Sequence, residues 1–453
     1  MAVFAQSSTS SVSDRSRVSI SSSSSSGLSE LATPTGSYLY YTSQITLTET
    51  GTYGTITFTS STIGSHNISS TASQSAVKTA VNSLTALQGI GPSETSTRPA
   101  SNSTATRNST ASSTSSASIQ PTNTTPCNGH PEFCVRQFGN ITNVMSHNSP
   151  FVQAGSLAAN QLLDVTTQLN DGVRGLQTQT HAVNGTMYNC HTSCQLLNAG
   201  TLTSFLATVT QWVRQHPYDV LTIIIENGDY VAVEEYVEPI TASGILQYVY
   251  SPPKVPMGLS DWPTLAEMIL HGQRVVLFLD YNANQTSVPW LLDEFSQAWE
   301  TPFDPTDQNF PCNVQRPPKL SDADAKARLY LTNHNLNTEI SLLGNSLSVP
   351  SVPLLNVTNA PAYAGFGSLG VGIETCFNDW GRPPNFLNVD YYNMGSFNGS
   401  VFQVAADWNN VTYNNASCCG ITRVSGAHRI RTSLGRETVV MVMLAILTSG
   451  LLI

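Results

Sequence analysis

Charged residues and cysteine are scarce in the first 125 residues of this chain. The segment has no cysteine and only nine charged side chains, set among serine and threonine runs such as residues 21–26. So little aliphatic surface cannot offset the entropy lost on ordering, which excludes a packed core within this segment. We therefore predict that residues 1–125 form a disordered, O-glycosylated, mucin-like stalk. Residues 37–60 alternate enough to suggest strands, but a lone hairpin would be marginal, and we assign them to the stalk.

Clusters of lysine and arginine are also absent from the chain. The 19 basic and 29 acidic residues give a formal net charge of -10. A nucleic-acid-binding surface needs a concentrated basic face to neutralise phosphates. Nucleic acid is therefore excluded as an expected partner.

The cysteines and glycosylation sequons indicate an oxidising compartment. All eight cysteines follow the stalk, and their even number is compatible with four disulfides. Together with eleven Asn-x-Ser/Thr sequons they predict a secreted, extracellular glycoprotein. No apolar stretch of signal-peptide length follows Met1, so we expect the signal to have been removed or to lie upstream. The cysteines are Cys127, Cys134, Cys190, Cys194, Cys312, Cys376, Cys418 and Cys419, and the sequons begin at Asn67, Asn102, Asn108, Asn123, Asn140, Asn184, Asn284, Asn356, Asn398, Asn410 and Asn415.

The C-terminal segment, residues 421–453, has the features of a membrane-anchor signal. It contains the small residues Ser425, Gly426 and Ala427, a polar spacer, and a mostly apolar stretch at 439–453. This order is typical of a signal for attachment of a glycosylphosphatidylinositol (GPI) anchor. The alternative is a single C-terminal transmembrane segment, but the stretch is shorter than the roughly 20 residues that a spanning helix needs.

Between residues 126 and 420 strand-like and helix-like segments alternate, which is the pattern of βα units around a parallel sheet. A segment of about 300 residues suits one α/β domain, a TIM-type (βα)8-like barrel, and we expect a monomer. The predicted strands are residues 141–146, 173–178, 186–190, 220–225, 274–279, 328–331 and 386–389, and the predicted helices are residues 158–169, 202–215 and 291–299.

Polar residues follow the ends of the predicted apolar strands. A barrel with its site at the C-terminal mouth should show this recurrence. The alternative reading is that strand ends are polar because they meet solvent. The residues concerned are His147, Glu226, Asp280, Asn333 or His334, and Asp390.

Six segments stand out by their order and spacing: CNGHPEFC (127–134), SHNSP (146–150), QLNDGVRGLQTQTH (168–181), YNCHTSC (188–194), VLTIIIENGDY (220–230) and RPPNFLNVDYY (382–392). Together they resemble the catalytic X region of the phosphatidylinositol-specific phospholipases C, and in particular the phospholipase-C-like proteins of plants and fungi. The resemblance runs from about Cys127 to Cys419 and implies a phosphodiesterase on a TIM-type barrel.

The resemblance assigns acid–base roles to two histidines. In this family the inositol 2-hydroxyl attacks phosphorus, so no protein nucleophile is required. By resemblance His147 is the base and His191 is the acid that protonates the departing glycerol oxygen, tasks that suit a near-neutral pKa. Asp390 could orient one of the histidines or could cap a strand end.

The family's charge-stabilising positions are altered in this chain. Calcium-dependent relatives use an asparagine, two carboxylates on the second strand and a glutamate, whereas bacterial relatives substitute an arginine for the metal. Here the corresponding residues are Asn148, Gln177, Gln179 and Glu226. We expect Asn148, Gln177, Gln179 and Asp390 to contact the substrate phosphate, and Glu226, together with Asn148, is the candidate for a metal ligand. One acid among three amides should bind Ca²⁺ weakly if at all, and no other cofactor is expected.

Other residues near these motifs are expected to have structural roles. We expect Arg174 to form a structural salt bridge, with Asp171 as the candidate partner, and a Cys190–Cys194 disulfide would stiffen the loop that carries His191. Zinc binding by the C-H-x-x-C segment lacks a second matching pair.

Two function classes remain for the barrel. The first is an enzyme that cleaves a phosphodiester in a phosphoinositide, a glycosylated inositol lipid or a related lipid. The second is a catalytically silent barrel that serves as an anchored surface or wall protein.

Overall fold

A computed structural model describes residues 37–41, 43–47, 125–342 and 345–420. The predicted stalk, apart from residues 37–41 and 43–47, and the predicted anchor signal lie outside the described residues. Within these ranges, no helix has both the length and the apolar character needed to cross a membrane.

The fold mixes short parallel strands with helices. In chain order the strands are β1 (Ile45–Thr46), β2 (Asn143–Ser146), β3 (Gly175–Val183), β4 (Thr186–His191), β5 (Leu197–Thr201), β6 (Leu221–Asn227), β7 (Lys254–Val255), β8 (Val275–Leu279), β9 (Leu292–Asp293), β10 (Ala298–Glu300), β11 (Leu329–Asn333), β12 (Asn337–Leu342), β13 (Asn345–Pro350) and β14 (Phe386–Val389). The helices are α1 (Val165–Asp171), α2 (Leu202–Gln215), α3 (Val237–Ala242), α4 (Leu265–His271), α5 (Glu294–Gln297), α6 (Asp322–Ala327), α7 (Leu355–Thr358), α8 (Leu369–Trp380) and α9 (Ser400–Asn409).

Parallel strands in chain order form the wall of a TIM-type barrel, as the sequence predicted. Ladders join β10, β11, β14, β2, β3, β6, β8 and β9 in that spatial order, and each pair is parallel. The ladder ends at β9 and β10, which are consecutive along the chain and separated by the four residues of α5. We call the interval between β9 and β10 the seam. The hairpin of β4 and β5 extends β3 in antiparallel pairing.

Burial explains why the barrel strands read as continuous apolar runs. All seven residues of β6 and all five of β8 are buried, because one face points into the barrel and the other is covered by helices. Helix α2 covers the outside with buried Leu202, Phe205, Leu206 and Val209 at helical spacing, and Thr201 caps its start by accepting from Ser204 N.

Two of the predicted helices are wrong in extent or type. The segment 158–169 becomes helical only at Val165, because Asp164 accepts from Thr167 N and begins the helix there. The predicted helix 291–299 is instead β9, the short α5 and β10. Both sides of this segment are buried, so its apolar residues carry no period that separates helix from strand.

The eight cysteines form four disulfides in the described chain, including the expected Cys190–Cys194 pair beside His191. The others are Cys127–Cys134, Cys312–Cys376 and Cys418–Cys419. Two of them lie near the ends of the barrel domain, and Cys312–Cys376 links the segment after β10 to α8.

Part of the segment assigned to the stalk is placed against the barrel. Strand β1 pairs antiparallel with β7, and Leu47 N donates to Pro253 O at 2.8 Å. The ring of Tyr38 packs on Tyr281 and Phe295. Residues 37–41 and 43–47 therefore correct the prediction that the whole segment 1–125 is detached stalk.

Candidate active site

His147 is fixed where the first barrel strand meets the last. It follows β2, and its backbone N–H continues the ladder by donating to Val389 O at 3.0 Å. Its Nδ1 lies 2.7 Å from Asp390 Oδ1, and both residues are buried. Asn160 Nδ2 also donates to this carboxylate at 2.9 Å. The ring therefore has one orientation, with Nδ1 on the carboxylate and Nε2 on the opposite side.

The charge of Asp390 decides the protonation of His147. Burial by itself lowers the pKa of His147, but the Asp390 charge and hydrogen bond outweigh it, and Asp304 acts in the same direction. The net result is a pKa raised above 6.5, which favours the imidazolium.

Two asparagine amides lie at the free nitrogen of His147. Asn148 Nδ2 is 3.2 Å and Asn335 Nδ2 3.5 Å from His147 Nε2. Within the described part of the chain, the Oδ1 atoms of both amides are buried and have no hydrogen-bond partner. Because amide oxygen and nitrogen are assigned from the network, a turn of either amide would present an acceptor to the Nε2–H of the imidazolium. The pair can thus serve either protonation state.

His191 is the last residue of β4, outside the barrel wall but beside its mouth. Its ring meets Phe151 edge to face at 5.3 Å, and Thr192 Oγ1 lies 3.2 Å from its Nδ1. Burial, followed by the charge of His147, lowers the pKa of His191 to about 4. At neutral pH the resting His191 is uncharged.

Glu226 lies at the end of β6 beside two glutamines of β3. Gln177 Nε2 donates to Glu226 Oε1 at 2.7 Å, and Gln179 Nε2 donates to Oε2 at 3.3 Å. The oxygen of Gln177 accepts from Asn388 Nδ2 at 2.9 Å, and that of Gln179 accepts from Thr192 N. Burial, with the Asp280 charge next, raises the pKa of Glu226 to about 8, even though amide donors favour the ionised form.

These side chains do not fit a calcium site. Calcium takes six or more oxygen ligands and prefers carboxylates, but Glu226 is the one acid among the four family positions. Both of its oxygens accept amide hydrogens, and the oxygens of Gln177 and Gln179 already have donors. No chemical step is therefore assigned to a metal.

Arg174 is remote from this cluster. It precedes β3, at the opposite end of the strand from Gln179, and pairs with Asp219 at 2.8 Å. The expected structural salt bridge is present, but the expected partner is wrong. Asp171 instead accepts from Tyr392 Oη and Gly420 N because it lies at the end of α1, where these groups meet it.

The structure adds polar residues that sequence reasoning missed. A chain of side-chain hydrogen bonds runs from Glu226 through Gln177, Asn388 and Asn333 to Glu300. Glu300 in turn accepts from Arg316 Nη1 at 3.1 Å. Asn335 and Asn388 lie in segments at the ends of predicted strands, TNHN (332–335) and NFLNVD (385–390), so the sequence contained a signal for them. Arg316 lies in an irregular segment that no predicted strand end marks.

Cavity size does not identify this cluster. A cleft of about 700 Å³ lies between Phe310 and Trp380 and includes none of the predicted site residues. The convergence of titratable groups at the barrel mouth is the stronger indicator, because burial there lowers the pKa of His191 to about 4 and raises that of Glu226 to about 8.

Comparison with known proteins gives a consistent family. An uncharacterized secreted protein of Arthroderma benhamiae is 56% identical over 350 residues, covering 77% of this chain and 76% of the relative. The PI-PLC X domain-containing protein 1 of the same organism is 40% identical over 272 residues, covering 59% and 86% of the two chains. Among solved structures, the phosphatidylinositol-specific phospholipase C from Listeria monocytogenes aligns with 63% of this chain and 97% of its own, at 11% identity and a TM-score of 0.41.

The family match spans most of the barrel and more than half of the chain. Residues 133–404 match the PI-PLC X family (PI-PLC X 1), a range that begins just before Cys134 and ends inside α9. It includes all seven residues that the sequence singles out for chemistry. The chain belongs to the PI-PLC X domain family.

Proposed function

We propose that this protein is a phosphoric diester hydrolase or lyase that cleaves a phosphoinositide or glycosylated inositol lipid by acid–base catalysis at His147 and His191. The observation that carries the proposal is the buried Asp390–His147 hydrogen bond. His191 lies at the same mouth, where burial and then the charge of His147 lower its pKa. A carboxylate on Nδ1 stabilises the imidazolium that forms when Nε2 takes a proton.

The proposed reaction needs one proton removed and one delivered. The substrate 2-hydroxyl gives its proton to His147 Nε2 as its oxygen bonds to phosphorus. The bond from phosphorus to the glycerol oxygen breaks, and His191 protonates that oxygen. The first product is a cyclic inositol phosphate, and water can open it by the reverse use of the two histidines.

The resting protonation states run opposite to these roles. His147 has the raised pKa and His191 the lowered one, so the resting pair holds its proton on the proposed base. A phosphodiester anion between the rings raises the pKa of both histidines, so bound substrate favours protonation of His191. Turnover then proceeds from the form in which His147 is neutral and His191 holds the proton. The pH dependence of kcat/KM is the same whether the single proton lies on His147 or on His191. The roles must therefore be assigned with substrates that differ in their leaving group.

A catalytically silent barrel is the second candidate function. The observation that favours it is the amide-for-acid replacement at Gln177 and Gln179, which leaves this side of the mouth without a metal site. The cationic Arg316 does not replace the metal, because its guanidinium is paired with Asp280 and Glu300. In that case the barrel would serve as a surface or wall protein without turnover.

We also propose an extracellular location with a GPI anchor. A secreted relative and the four disulfides support the secretory pathway. The small triplet, spacer and short apolar tail in residues 421–453 support the anchor, and these residues lie outside the described part of the chain.

The first prediction concerns the pH profile. We expect kcat/KM for an inositol lipid to have an acidic limb near the His191 pKa of about 4 and an alkaline limb above 6.5, where His147 loses its proton. Asp390 raises the pKa of His147, so Asp390→Asn should move the alkaline limb to lower pH. Asp229→Asn, which removes the partner of His181, is the matched control and should leave it in place. An alkaline limb that disappears in Glu226→Gln but not in Asp390→Asn would contradict this origin.

The second prediction assigns the acid and the base. His147→Ala and His191→Ala should each lower turnover of a natural lipid by about 10²- to 10⁴-fold. A substrate with a nitrophenol leaving group needs no acid, so it should restore turnover in His191→Ala and not in His147→Ala. Release of cyclic inositol phosphate and nitrophenol would be followed in parallel. The opposite pattern of rescue would exchange the two roles, and wild-type protein inactive on both substrates would favour the silent barrel.

The third prediction concerns calcium. Gln177→Glu combined with Gln179→Asp would give three neighbouring carboxylates, counting Glu226. These carboxylates repel each other without a cation and bind Ca²⁺. Without calcium, we expect the thermal unfolding midpoint of the double variant to lie below that of wild type. Added calcium should raise the midpoint of the double variant and leave that of wild type unchanged. Gln161→Glu, on the far side of His147, serves as a control for the added charge. A wild-type midpoint that rises as much with calcium would show that the amides already form a site.

The fourth prediction concerns the anchor. The mature surface protein should lack residues 439–453 and should be released from cells by an added GPI-cleaving phospholipase. Mass spectrometry of C-terminal peptides measures the first point and immunoblotting of the released fraction measures the second. Recovery of an intact peptide from 439–453 on the surface form would instead support a transmembrane segment.

A further inference from the structure

The seam between β9 and β10 is spanned from inside the barrel by Arg316. Its Nη2 lies 3.3 Å from Asp280 Oδ2, directly after β8, and its Nη1 lies 3.1 Å from Glu300 Oε2, the last residue of β10. The backbone around Arg316 also pairs with the free edge of β10, since Glu300 N donates to Arg316 O at 2.8 Å and Gln315 N donates to Glu300 O at 3.0 Å. Arg316 therefore joins strands on the two sides of the seam.

Aromatic rings surround this guanidinium. Its carbon lies 4.8 Å from the ring centre of Phe295, 4.7 Å from Phe303 and 5.3 Å from Tyr281. Arg316 is 2% exposed, so its two ion pairs are shielded from water. Buried ion pairs depend on this shielding and on complete hydrogen bonding.

Part of the shielding comes from residues 37–41 and 43–47, which we call the strap. The Tyr38 ring forms T-shaped pairs with Phe295 and Tyr281, with ring centres 5.0 Å and 5.5 Å apart. The Tyr38 hydroxyl lies 3.2 Å from the Tyr281 hydroxyl, which accepts from Arg316 Nη2 at 3.1 Å. Phe295 is fully buried and Tyr281 is 3% exposed with the strap in place. The Tyr38 ring therefore covers part of both rings.

The strap is held on both sides of the seam. Tyr40 Oη donates to Pro318 O at 2.8 Å on the β10 side, two residues beyond Arg316. Tyr41 is half-buried beside Ser296 of α5, and burial, with the Asp293 charge next, raises its pKa. Strand β1 then pairs with β7, and Gln44 Nε2 donates to Pro256 O at 3.2 Å. The strap residues themselves lie outside residues 133–404, so the family match does not include the strap.

We propose that the strap completes the barrel wall at the seam and holds Arg316, and through it the hydrogen-bonded chain to Glu226, in position. The links are Tyr38 to Tyr281 to Arg316 to Glu300, and then Asn333, Asn388 and Gln177. The N-terminal Ser/Thr-rich region thus joins the barrel at the seam and acts on the site through positioning residues. The coupling to turnover rests on the proposed function, whereas the structural coupling does not.

Hydrogen exchange on the full chain tests the structural coupling in both directions. Tyr38→Ala should speed amide exchange about tenfold in peptides that contain residues 292–300 and 312–318, and leave those of β2 and β3 unchanged. Reciprocally, Arg316→Lys should speed exchange in the strap, because an ammonium cannot keep the planar contacts of the guanidinium. Ser43→Ala, at an exposed strap position, is the matched control and should change neither.

The hydroxyl link is tested separately from ring packing. Tyr38→Phe keeps the ring, so the unfolding midpoint should stay near that of wild type while exchange at 312–318 still increases. On an inositol lipid, Tyr38→Ala should lower kcat by about 3- to 10-fold with KM unchanged. Wild-type protein without turnover would overturn the proposed function but leave the exchange result standing. Exchange at 292–300 and 312–318 that is the same in Tyr38→Ala and wild type would overturn the strap proposal.

Discussion

The hydrogen bond between His147 and Asp390 depends on the parallel pairing of β2 with β14. The two residues are 243 positions apart and meet because β14 pairs with β2 in register, so that the residues after each strand emerge side by side. Asn160 and Gln161 then brace the same junction, one on the carboxylate and one on the backbone of His147 and Val389. The direction of the His147 pKa shift follows from this junction, because Asp390 supplies the charge that outweighs burial.

Charge balance separates this mouth from a calcium-binding one. A buried glutamate is costly when ionised and unpaired, and here two amides donate to it while burial raises its pKa to about 8. The glutamines thus do more than remove ligands, since their amides donate to both oxygens of Glu226. Such a site can keep its geometry without a metal ion. This suits either a metal-independent enzyme or a catalytically silent barrel.

Arg316 carries a buried positive charge beside the seam. It lies among Asp280, Glu300 and three aromatic rings, and although burial by itself lowers its pKa, the charges of Glu300 and Asp280 outweigh burial and keep it charged. Burial raises the pKa of Glu226 most, the charges of Asp280 and Glu300 raise it further, and the charge of Arg316 lowers it. The seam and the site therefore share one set of charges, and a change in the shielding of Arg316 would reach Glu226 through electrostatics as well as through hydrogen bonds.

The sequence by itself determined the barrel class, the helix 202–215 and most of the barrel strands, because continuous apolar runs and helical spacing are local patterns. The resemblance of its motifs to the X region also singled out seven site residues, and these lie together at one mouth of the barrel; their chemical roles stay predictions. It could not determine the short elements at 291–299, where burial on both sides removes the period. Only the tertiary structure paired Arg174 with Asp219, brought Asn335 and Asn388 to the site, and placed Tyr38 against Tyr281 and Phe295. These contacts join segments that are far apart in the chain, and no local spacing encodes which of them will meet.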